Sequence, residues 1–504
     1  MSHEKLVLRV VVLAVFLPRL LFPDAFTQLD EQRWVFRAND AMDAFVTGDF
    51  SNTGSLGYPA VTHMATIAPV IVMYRTIAGL EGHTDSWPLE HQHYVIVWAR
   101  LVIGLVTGFI SLLLYYLLRK SPLFDGNSWM IGALTIAIAN EPWLLGMSRI
   151  MMMDAYISFF IILSLVAGLV SRWRSNHQFL ILSGVAFGLA FITKSTASFF
   201  GPFLLIPFIA GSLRESSKRI AWWCGIGALT IFVFWPAMWV HPIERIGELL
   251  FWDSTHALEL REPLYWPGWH PPFAFLVLAV PSFIGLIAYI GLRMHDFYRR
   301  HHVSGMLLGD LAFGMALAFQ LIMAYVVADR SRWILPAIAL FAIPGAIGLL
   351  RLLRLWLAPK TAALVLIVAS VITVVYWHPY PTLAVNPLFY TESATWQLGM
   401  GEGSRQVAEY LAQLPPNSSV ATKIPSLIDR YLTYSHVEVT RFPQSNDFSE
   451  LPDNTTHLVL PMSRNRILFE ENIGDVYEWM DEHTPEFVVN LRGIPLYGIY
   501  GYER

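Results

Sequence analysis

The chain has 504 residues, of which 55% are hydrophobic and only 14% are Asp, Glu, Lys or Arg, and its mean hydropathy is +0.48. Soluble globular proteins carry about 25% charged residues, so this composition excludes a chain that is surrounded mainly by water and indicates a membrane protein. The formal net charge is -4, and the blocks of basic residues lie between apolar runs, where they indicate membrane topology, so no nucleic-acid partner is expected. The single cysteine, Cys224, excludes a disulfide framework and a cysteine metal cluster.

Apolar runs close to the length that crosses a bilayer recur as far as residue 377. Val61 to Ala78 is better interpreted as an interfacial helix than as a twelfth span, because this keeps the alternation of basic loops intact. The first run has no small-residue cleavage site after it, so we expect an anchor and not a signal peptide. The runs predict about eleven transmembrane helices, at residues 6–22, 94–118, 129–145, 150–170, 179–192, 198–209, 220–240, 273–292, 306–327, 333–350 and 362–377.

Lys and Arg are concentrated in alternate connecting segments, for example Arg214 to Arg219 and Arg293 to Arg300. Short cytoplasmic loops hold an excess of these residues, so we place the N-terminus in the cytoplasm. The first loop, residues 24–93, and the C-terminal tail are then exterior. The expected location is the plasma membrane, as a multi-pass protein.

The C-terminal tail is more polar than the rest of the chain. Its strand-like alternation at Thr456 to Leu460 and Phe487 to Leu491, with a helical pattern at Arg405 to Leu414, predicts a small exterior α/β domain. The predicted fold class is therefore a polytopic α-helical membrane protein with a small C-terminal α/β domain. We expect the transmembrane catalytic domain at residues 1–378 and the exterior domain at 379–504.

Ionisable residues at the exterior edge of the membrane are candidates for function, because charged groups near the apolar layer are costly. Asp30, Glu31 and Arg33 follow the first span directly. Topology places all the candidates on one side, which by itself does not bring them together in space. The others, in chain order, are Arg149, Asp154, Lys194, Arg261, Arg330 and Arg332.

Sugar transfer onto a hydroxyl needs a carboxylate that accepts the hydroxyl proton, and either Asp30 or Glu31 fits this role. A lipid phosphate as leaving group needs fixed cations, for which guanidinium groups are well matched; Arg33, Arg149 and Arg332 fit. Two other interpretations stay open for these side chains, as snorkelling groups at the interface or as structural ion pairs.

Asp154 has a more ordinary interpretation than catalysis. It begins a predicted helix and lies five residues after Arg149. Pairing between these two at the helix end is slightly favoured over a direct functional role.

The order of these motifs resembles the polyprenyl-phosphate-dependent GT-C glycosyltransferases of family 39, which include protein O-mannosyltransferases and the aminoarabinose transferase of lipid A. The Asp30-Glu31 pair, Gly57 to Thr62, Ser148-Arg149 with Asp154, Gly188 to Lys194 and Arg332 to Pro336 occur in the family's order over roughly the first 350 residues. The segment Gly399 to Gly403 resembles a C-terminal extension of some prokaryotic members.

The resemblance implies an inverting transfer of a sugar from a polyprenyl-phosphate donor to an acceptor hydroxyl on a protein, lipid or glycan, at the exterior face. It implies Asp30 as the catalytic base, with Glu31 as its neighbour in the motif. Donor phosphate binding is expected of Arg33, Arg149, Arg332 and Lys194, and further candidates are Asp154, Arg261 and Arg330. The sequence assigns no cofactor with certainty, and a divalent metal requirement stays open. Membrane lipid is an expected partner.

One departure from the family concerns the first loop. Tyr58-Pro59-Ala60-Val61 stands where mannosyltransferases of the family often have His-Pro-Pro-Leu and the lipid A enzyme has Lys-Pro-Pro-Leu. A phosphate-side Lys or His is therefore missing here, and the sugar and the acceptor stay unassigned.

Two other function classes fit the sequence less well. A transporter or lipid flippase would have broken helices in two similar halves, and the sequence has no such repeat. A glycosidase would need two separated carboxylates across a sugar cleft, which the adjacent pair Asp30-Glu31 fits poorly.

Overall fold

The computed structural model describes residues 3–26, 28, 30–54, 59–209, 212–248, 278–298, 307–326, 335–384, 401–432, 435–443, 445–462 and 473–502. Up to residue 384 these residues are mainly helical, because an apolar segment in lipid has to satisfy its backbone N–H and C=O groups internally. The helices of this part are α1 (His3–Leu20), α2 (Glu31–Thr47), α3 (Val61–Ala78), α4 (Leu89–Arg119), α5 (Ser128–Ala139), α6 (Pro142–Met147), α7 (Met153–Arg174), α8 (His177–Thr193), α9 (Gly201–Leu205), α10 (Leu213–Phe234), α11 (Ala237–Val240), α12 (Val280–Tyr298), α13 (Leu307–Val326), α14 (Leu335–Leu353) and α15 (Pro359–Trp377).

Several of these helices suit a bilayer. Within the described ranges, five are long and apolar enough to cross a membrane, namely α3, α4, α7, α14 and α15, and shorter apolar helices accompany them. The chain is therefore a membrane-embedded protein, as its composition predicts. Because α3 is one of the five, the interfacial position expected for this segment stays a prediction.

The third predicted span is two helices, α5 and α6, with a break between them. Pro142 occupies the first turn of α6, where its missing N–H leaves no hydrogen bond unmade. Glu141, at the break, is buried. Its carboxylate accepts hydrogen bonds from the Ala279 backbone N–H at 2.7 Å and the Ser282 hydroxyl at 2.6 Å. The break thus supplies a carboxylate that fixes the start of α12.

Helices α12 and α14 touch through their backbones. A Cβ atom at Gly285 of α12 would collide with the carbonyl of Gly345 of α14, and one at Gly348 would collide with the carbonyl of Gly285. Small residues allow this close approach of helices in membranes.

The C-terminal tail forms a sheet with short helices. Its helices are α16 (Ser404–Leu411), α17 (Pro425–Ile428) and α18 (Ile473–Glu482), and its strands are β1 (Ser419–Thr422), β2 (Glu438–Arg441), β3 (His457–Pro461), β4 (Phe487–Leu491) and β5 (Ile494–Gly501). The strand order is β2-β1-β3-β5-β4, with β1 parallel to β2 and β3 and the other pairs antiparallel. The predicted class, a helical membrane protein with a small C-terminal α/β domain, is confirmed.

The chain divides into two compact units. The membrane unit consists of Met1–Leu21, Trp34–Glu81 and Trp98–Pro387, and the tail unit consists of Phe22–Arg33, Gly82–Val97 and Leu388–Arg504. Two short segments of the predicted first loop therefore belong with the tail, whereas the sequence assigned the whole loop to the membrane domain. These two segments matter because one of them carries Asp30 and Glu31.

Candidate active site

The predicted catalytic pair lies in a short segment that its own hydrogen bonds hold in place. We call residues 28 and 30–33 the acidic segment. The Glu31 carboxylate is fully buried and accepts the backbone N–H of Gln28 at 2.8 Å. The Asp30 backbone N–H donates to the Gln28 side-chain oxygen at 2.7 Å, and the Gln28 amide nitrogen lies 3.4 Å from the Asp30 carboxylate. Glu31 also begins α2, where a carboxylate is favourable to the helix dipole.

The two acids of the motif therefore have different surroundings. The Asp30 side chain keeps 21% of its surface exposed, whereas Glu31 is enclosed. Arg33 is 71% exposed and its guanidinium lies 3.8 Å from the Asp30 carboxylate. A pair at such a distance and exposure contributes little to stability, so the Arg33 side chain is able to turn toward an anion. Within the acidic segment, Asp30 and Arg33 are the groups that a substrate is able to reach.

A second group of predicted residues lies in the membrane unit. The Lys194 ammonium is 2.9 Å from the Asp154 carboxylate, and the side chains are 6% and 3% exposed. Asp154 lies in the first turn of α7, and Lys194 ends α8 in an extended conformation. The sequence favoured Arg149 as the partner of Asp154, and the structure gives Lys194 instead. Sequence distance misled here, because α8 runs back along α7 after the turn at Ser175 and Asn176, which places the end of α8 beside the start of α7.

Helix α3 packs beside this ion pair. The Ala60 backbone N–H donates to the carbonyl of Thr193 at 3.2 Å, and the hydroxyl groups of Thr62 and Thr193 are in contact. The ring of His63 is edge-on to Trp34 of α2 and to Tyr156 of α7, with centroids at 5.1 and 5.8 Å. Sequence reasoning missed His63, although a histidine inside an apolar run is a recognisable signal.

Arg149 is buried and binds backbone oxygens. One guanidinium nitrogen donates to the carbonyl of Pro379 and another to the carbonyl of Leu21, both at 2.7 Å. Burial, together with the nearby charge of Arg100, lowers the pKa of Arg149 to about 9. In the contacts described, this side chain connects the end of α1 to the residues after α15.

Arg19 and Arg100 are two further buried arginines that sequence reasoning missed. The Arg19 guanidinium donates to the Ala139 carbonyl at 2.5 Å and to the Asn140 side chain at 3.2 Å, and Asn140 in turn donates to the carbonyl of Ala14 at 2.9 Å. The bond to Ala139 satisfies a carbonyl at the end of α5, where helices leave such groups unpaired, and the bond to Ala14 satisfies the carbonyl of α1 that Pro18, which has no N–H, leaves without its helical partner. Both arginines lie within or next to predicted spans, and this position was the available signal.

Three predicted residues, Arg261, Arg330 and Arg332, lie outside the described residues. The others form two groups, one in each unit: Asp30, Glu31 and Arg33 in the tail unit, and Arg149, Asp154 and Lys194 in the membrane unit. Over the described ranges, no group of three or more His, Cys, Asp or Glu side chains is placed to hold a metal ion.

Solved structures of two proteins are similar to this chain at low sequence identity. One is the apo crystal structure of ArnT from Cupriavidus metallidurans, whose sequence is 14% identical to this chain. The alignment covers 98% of this chain and 97% of the ArnT chain, with a TM-score of 0.47. The same protein bound to undecaprenyl phosphate gives the same identity and coverage, with a TM-score of 0.45.

A third structure is the S. cerevisiae protein O-mannosyltransferase Pmt1-Pmt2 complex bound to the sugar donor. It is 19% identical over 49% of this chain, with a TM-score of 0.34. The chain spans about a third of the length of that yeast protein, since the match covers 34% of it. No curated protein matches the chain in sequence.

The sequence profile of the dolichyl-phosphate-mannose-protein mannosyltransferase family matches residues 91–239. This stretch includes Arg100, Arg149, Asp154 and Lys194. The match confirms, over these residues, the resemblance to lipid-phosphate-dependent glycosyltransferases that the motifs indicate.

Proposed function

We propose that this protein is a membrane glycosyltransferase that moves a sugar from a polyprenyl-phosphate donor to an acceptor hydroxyl, with Asp30 as the general base. The family match over residues 91–239 supports the reaction class. The observation that carries the residue assignment is the difference between the two acids: Asp30 is partly exposed, whereas Glu31 is enclosed and occupied by the Gln28 N–H.

The chemical step is a single displacement with inversion. The acceptor oxygen attacks the anomeric carbon while its proton passes to the Asp30 carboxylate, and the bond between that carbon and the phosphate oxygen breaks. The polyprenyl phosphate leaves with the bonding electrons. Glu31 does not take the proton in this scheme; it keeps the segment in shape, so that the Asp30 oxygen points consistently at the acceptor.

Negative charge grows on the phosphate as the sugar leaves, and cations that meet it there speed the step. Arg33 suits this role, because its guanidinium is largely exposed and only loosely paired with Asp30. Phosphate binding by Arg149, Lys194 and Arg332 stays a prediction. In the described contacts, Arg149 holds two carbonyl groups and Lys194 holds Asp154.

The alternation of basic loops supports the exterior face of the plasma membrane as the site of reaction. A donor with a long lipid tail stays in the bilayer, so an active site at the membrane edge meets its reacting phosphate without extracting the tail. The acceptor is a protein, a lipid or a glycan that carries a free hydroxyl on that side.

The test is transfer by the purified full chain in lipid nanodiscs, from synthetic polyprenyl-phosphate sugars and from the corresponding nucleotide sugars. We expect transfer from the lipid donors only. Asp30→Asn should lower kcat by about 10² to 10⁴. Arg33→Gln should raise the donor KM and lower kcat together, because phosphate binding and charge development both use the guanidinium.

Helix α2, which contains Arg33 and begins directly after Asp30, offers matched controls. Asp40→Asn and Arg37→Gln change an exposed acid and an exposed base of α2 and should leave transfer unchanged. Equal use of nucleotide sugars, or Asp30→Asn with half of the wild-type rate, would overturn the proposal. Release of free sugar without an acceptor would indicate a glycosidase, and movement of the intact lipid donor across the bilayer without product would indicate a flippase.

A further inference from the structure

The tail unit contains more than the C-terminal domain. It also holds the segment from Phe22 to Arg33, which carries Asp30, and the segment from Gly82 to Val97, which leads into α4. The C-terminal domain and the acidic segment are therefore parts of one compact body. Their contacts indicate what the C-terminal domain does.

Asp24 is the residue at which these parts meet. One carboxylate oxygen lies 2.6 Å from Nε2 of His93, at the start of α4. The other lies 3.7 Å from the guanidinium of Arg405, in the first turn of α16 in the C-terminal domain. The ring of His93 also packs edge-on against Tyr431 of that domain, with centroids 5.6 Å apart. Asp24 thus contacts both the start of α4 and the C-terminal domain, and this domain contacts both Asp24 and His93.

A second contact fixes the other end of the same segment. The Gln32 side-chain amide donates to the side-chain oxygen of Gln92 at 2.7 Å, and Gln92 donates to the Trp87 carbonyl at 2.8 Å. Gln92 is the neighbour of His93 along the chain. The connection between α1 and α2 is therefore held at Asp24 and at Gln32, and Asp30 lies between these two points.

This arrangement has a consequence for catalysis. A connection of about ten residues that is held only at its helix ends loses entropy each time it adopts one conformation. A general base displaced by about 1 Å from its productive position loses on the order of a hundredfold in rate. Exposed ion pairs add little to global stability, so the contacts of Asp24 act on the local order of this segment.

We propose that the C-terminal domain positions the acidic segment for catalysis, through Arg405 and Tyr431 acting on Asp24 and His93. Asp24, His93 and Arg405 are positioning residues and do not touch the substrate. This inference rests on the proposed function only where it concerns the rate of sugar transfer. The order of the segment is measurable without any substrate.

The experiment measures amide hydrogen exchange of the peptide that covers residues 22–33, in the full chain in nanodiscs without donor. Asp24→Asn should speed exchange there by about five- to tenfold, because it weakens the 2.6 Å contact with His93 as well as the contact with Arg405. Arg405→Gln should speed it by about twofold, because its pair with Asp24 is 3.7 Å long and half exposed. Arg405→Lys, which keeps the charge, should restore part of the protection. The matched control is Glu409→Gln, which removes the other partner of Arg405, at 3.0 Å in the same helix, and leaves Asp24 unchanged; it should exchange like the wild type.

Transfer kinetics supply the second measurement. Asp24→Asn should lower kcat about tenfold and Arg405→Gln about twofold, each with the donor KM within about twofold of wild type, because the base is displaced and the phosphate site is intact. Unchanged exchange of residues 22–33 in both variants overturns the inference, whatever the activity. A different outcome is faster exchange in the variants when the wild-type protein itself transfers no sugar. That result supports the positioning contact and counts against the proposed function.

Discussion

Lys194 and Asp154, forty residues apart along the chain, meet with 2.9 Å between ammonium and carboxylate in a place that solvent hardly reaches. Removing one partner of a buried ion pair leaves an uncompensated charge, which costs about 3–5 kcal/mol. Lys194→Met should therefore lower the free energy of unfolding strongly. The double variant Lys194→Met with Asp154→Leu should recover much of the loss, and unfolding of the purified protein in detergent measures both. A double variant no more stable than the single one would contradict this account.

Glu31 accepts the backbone N–H of Gln28 in an enclosed position. Glu31→Leu leaves that donor unsatisfied, so we expect a loss of about 1–3 kcal/mol in stability and a lower kcat. Glu31→Gln keeps an acceptor oxygen and should lose less of both. Transfer kinetics and thermal unfolding of the two variants measure these effects. If Glu31→Gln is as inactive as Asp30→Asn while its stability is unchanged, Glu31 takes part in the proton transfer directly.

Arg149 donates to the carbonyls of Leu21 and Pro379. A lysine at this position keeps one charge but loses the planar fork, and hydrogen bonds to a charged group contribute about 1.5–3 kcal/mol each. Arg149→Lys should therefore lower the melting temperature, whereas the same exchange at the exposed Arg214 should not. An increased donor KM with an unchanged melting temperature would support phosphate binding by Arg149 and contradict a structural role in connecting α1 to the residues after α15.

Gly285 and Gly291 lie six residues apart on α12 and allow a matched comparison. A Cβ atom at Gly285 meets the backbone of α14, whereas nothing lies within 4 Å of one at Gly291. Gly285→Ala should cost about 1–3 kcal/mol through overpacking. Gly291→Ala should be neutral or slightly stabilising, because alanine is the better helix former. Equal melting temperatures for the two variants would show that α12 and α14 do not approach this closely.

Burial raises the pKa of Asp429, in the C-terminal domain, to about 6. The folded state then binds the proton more tightly than the unfolded chain, whose Asp pKa is about 3.9. The stabilising effect is complete below pH 4 and is lost as the pH rises through 6. Asp429→Asn should remove this pH dependence. The melting temperature of the variant should therefore rise relative to that of the wild type as the pH is raised from about 4.5 to about 7.5. A constant difference over that range would contradict the assignment.

The local sequence patterns predicted helices and strands well where a pattern corresponds to a single helix or strand. The strand at Phe487–Leu491 has the predicted bounds, and the helix expected from Arg405 begins at Ser404. The third predicted span is not one continuous helix. Hydropathy averaged over the whole run does not detect the break that precedes Pro142. The signal was present, since the residue before a proline is biased away from helix.

The candidate site was less predictable. The residues alone left Asp30 and Glu31 as alternative bases, and only the resemblance favoured Asp30; the folded segment exposes Asp30 and buries Glu31 against Gln28. The partner of Asp154 depended on the antiparallel packing of α7 and α8, which brings Lys194 beside Asp154. Arg19 and Arg100 were overlooked because each lies in or beside an apolar span, where burial decides the role and a linear sequence does not report burial.

The meeting of α12 and α14 through Gly285, Gly345 and Gly348 also limits how lipid approaches the protein. At these glycines the backbone of each helix lies where a Cβ atom of the other would be, so the two helices are too close for a hydrocarbon tail to enter between them. The lipid-linked donor that we propose would therefore approach its site by a different face of the helix bundle.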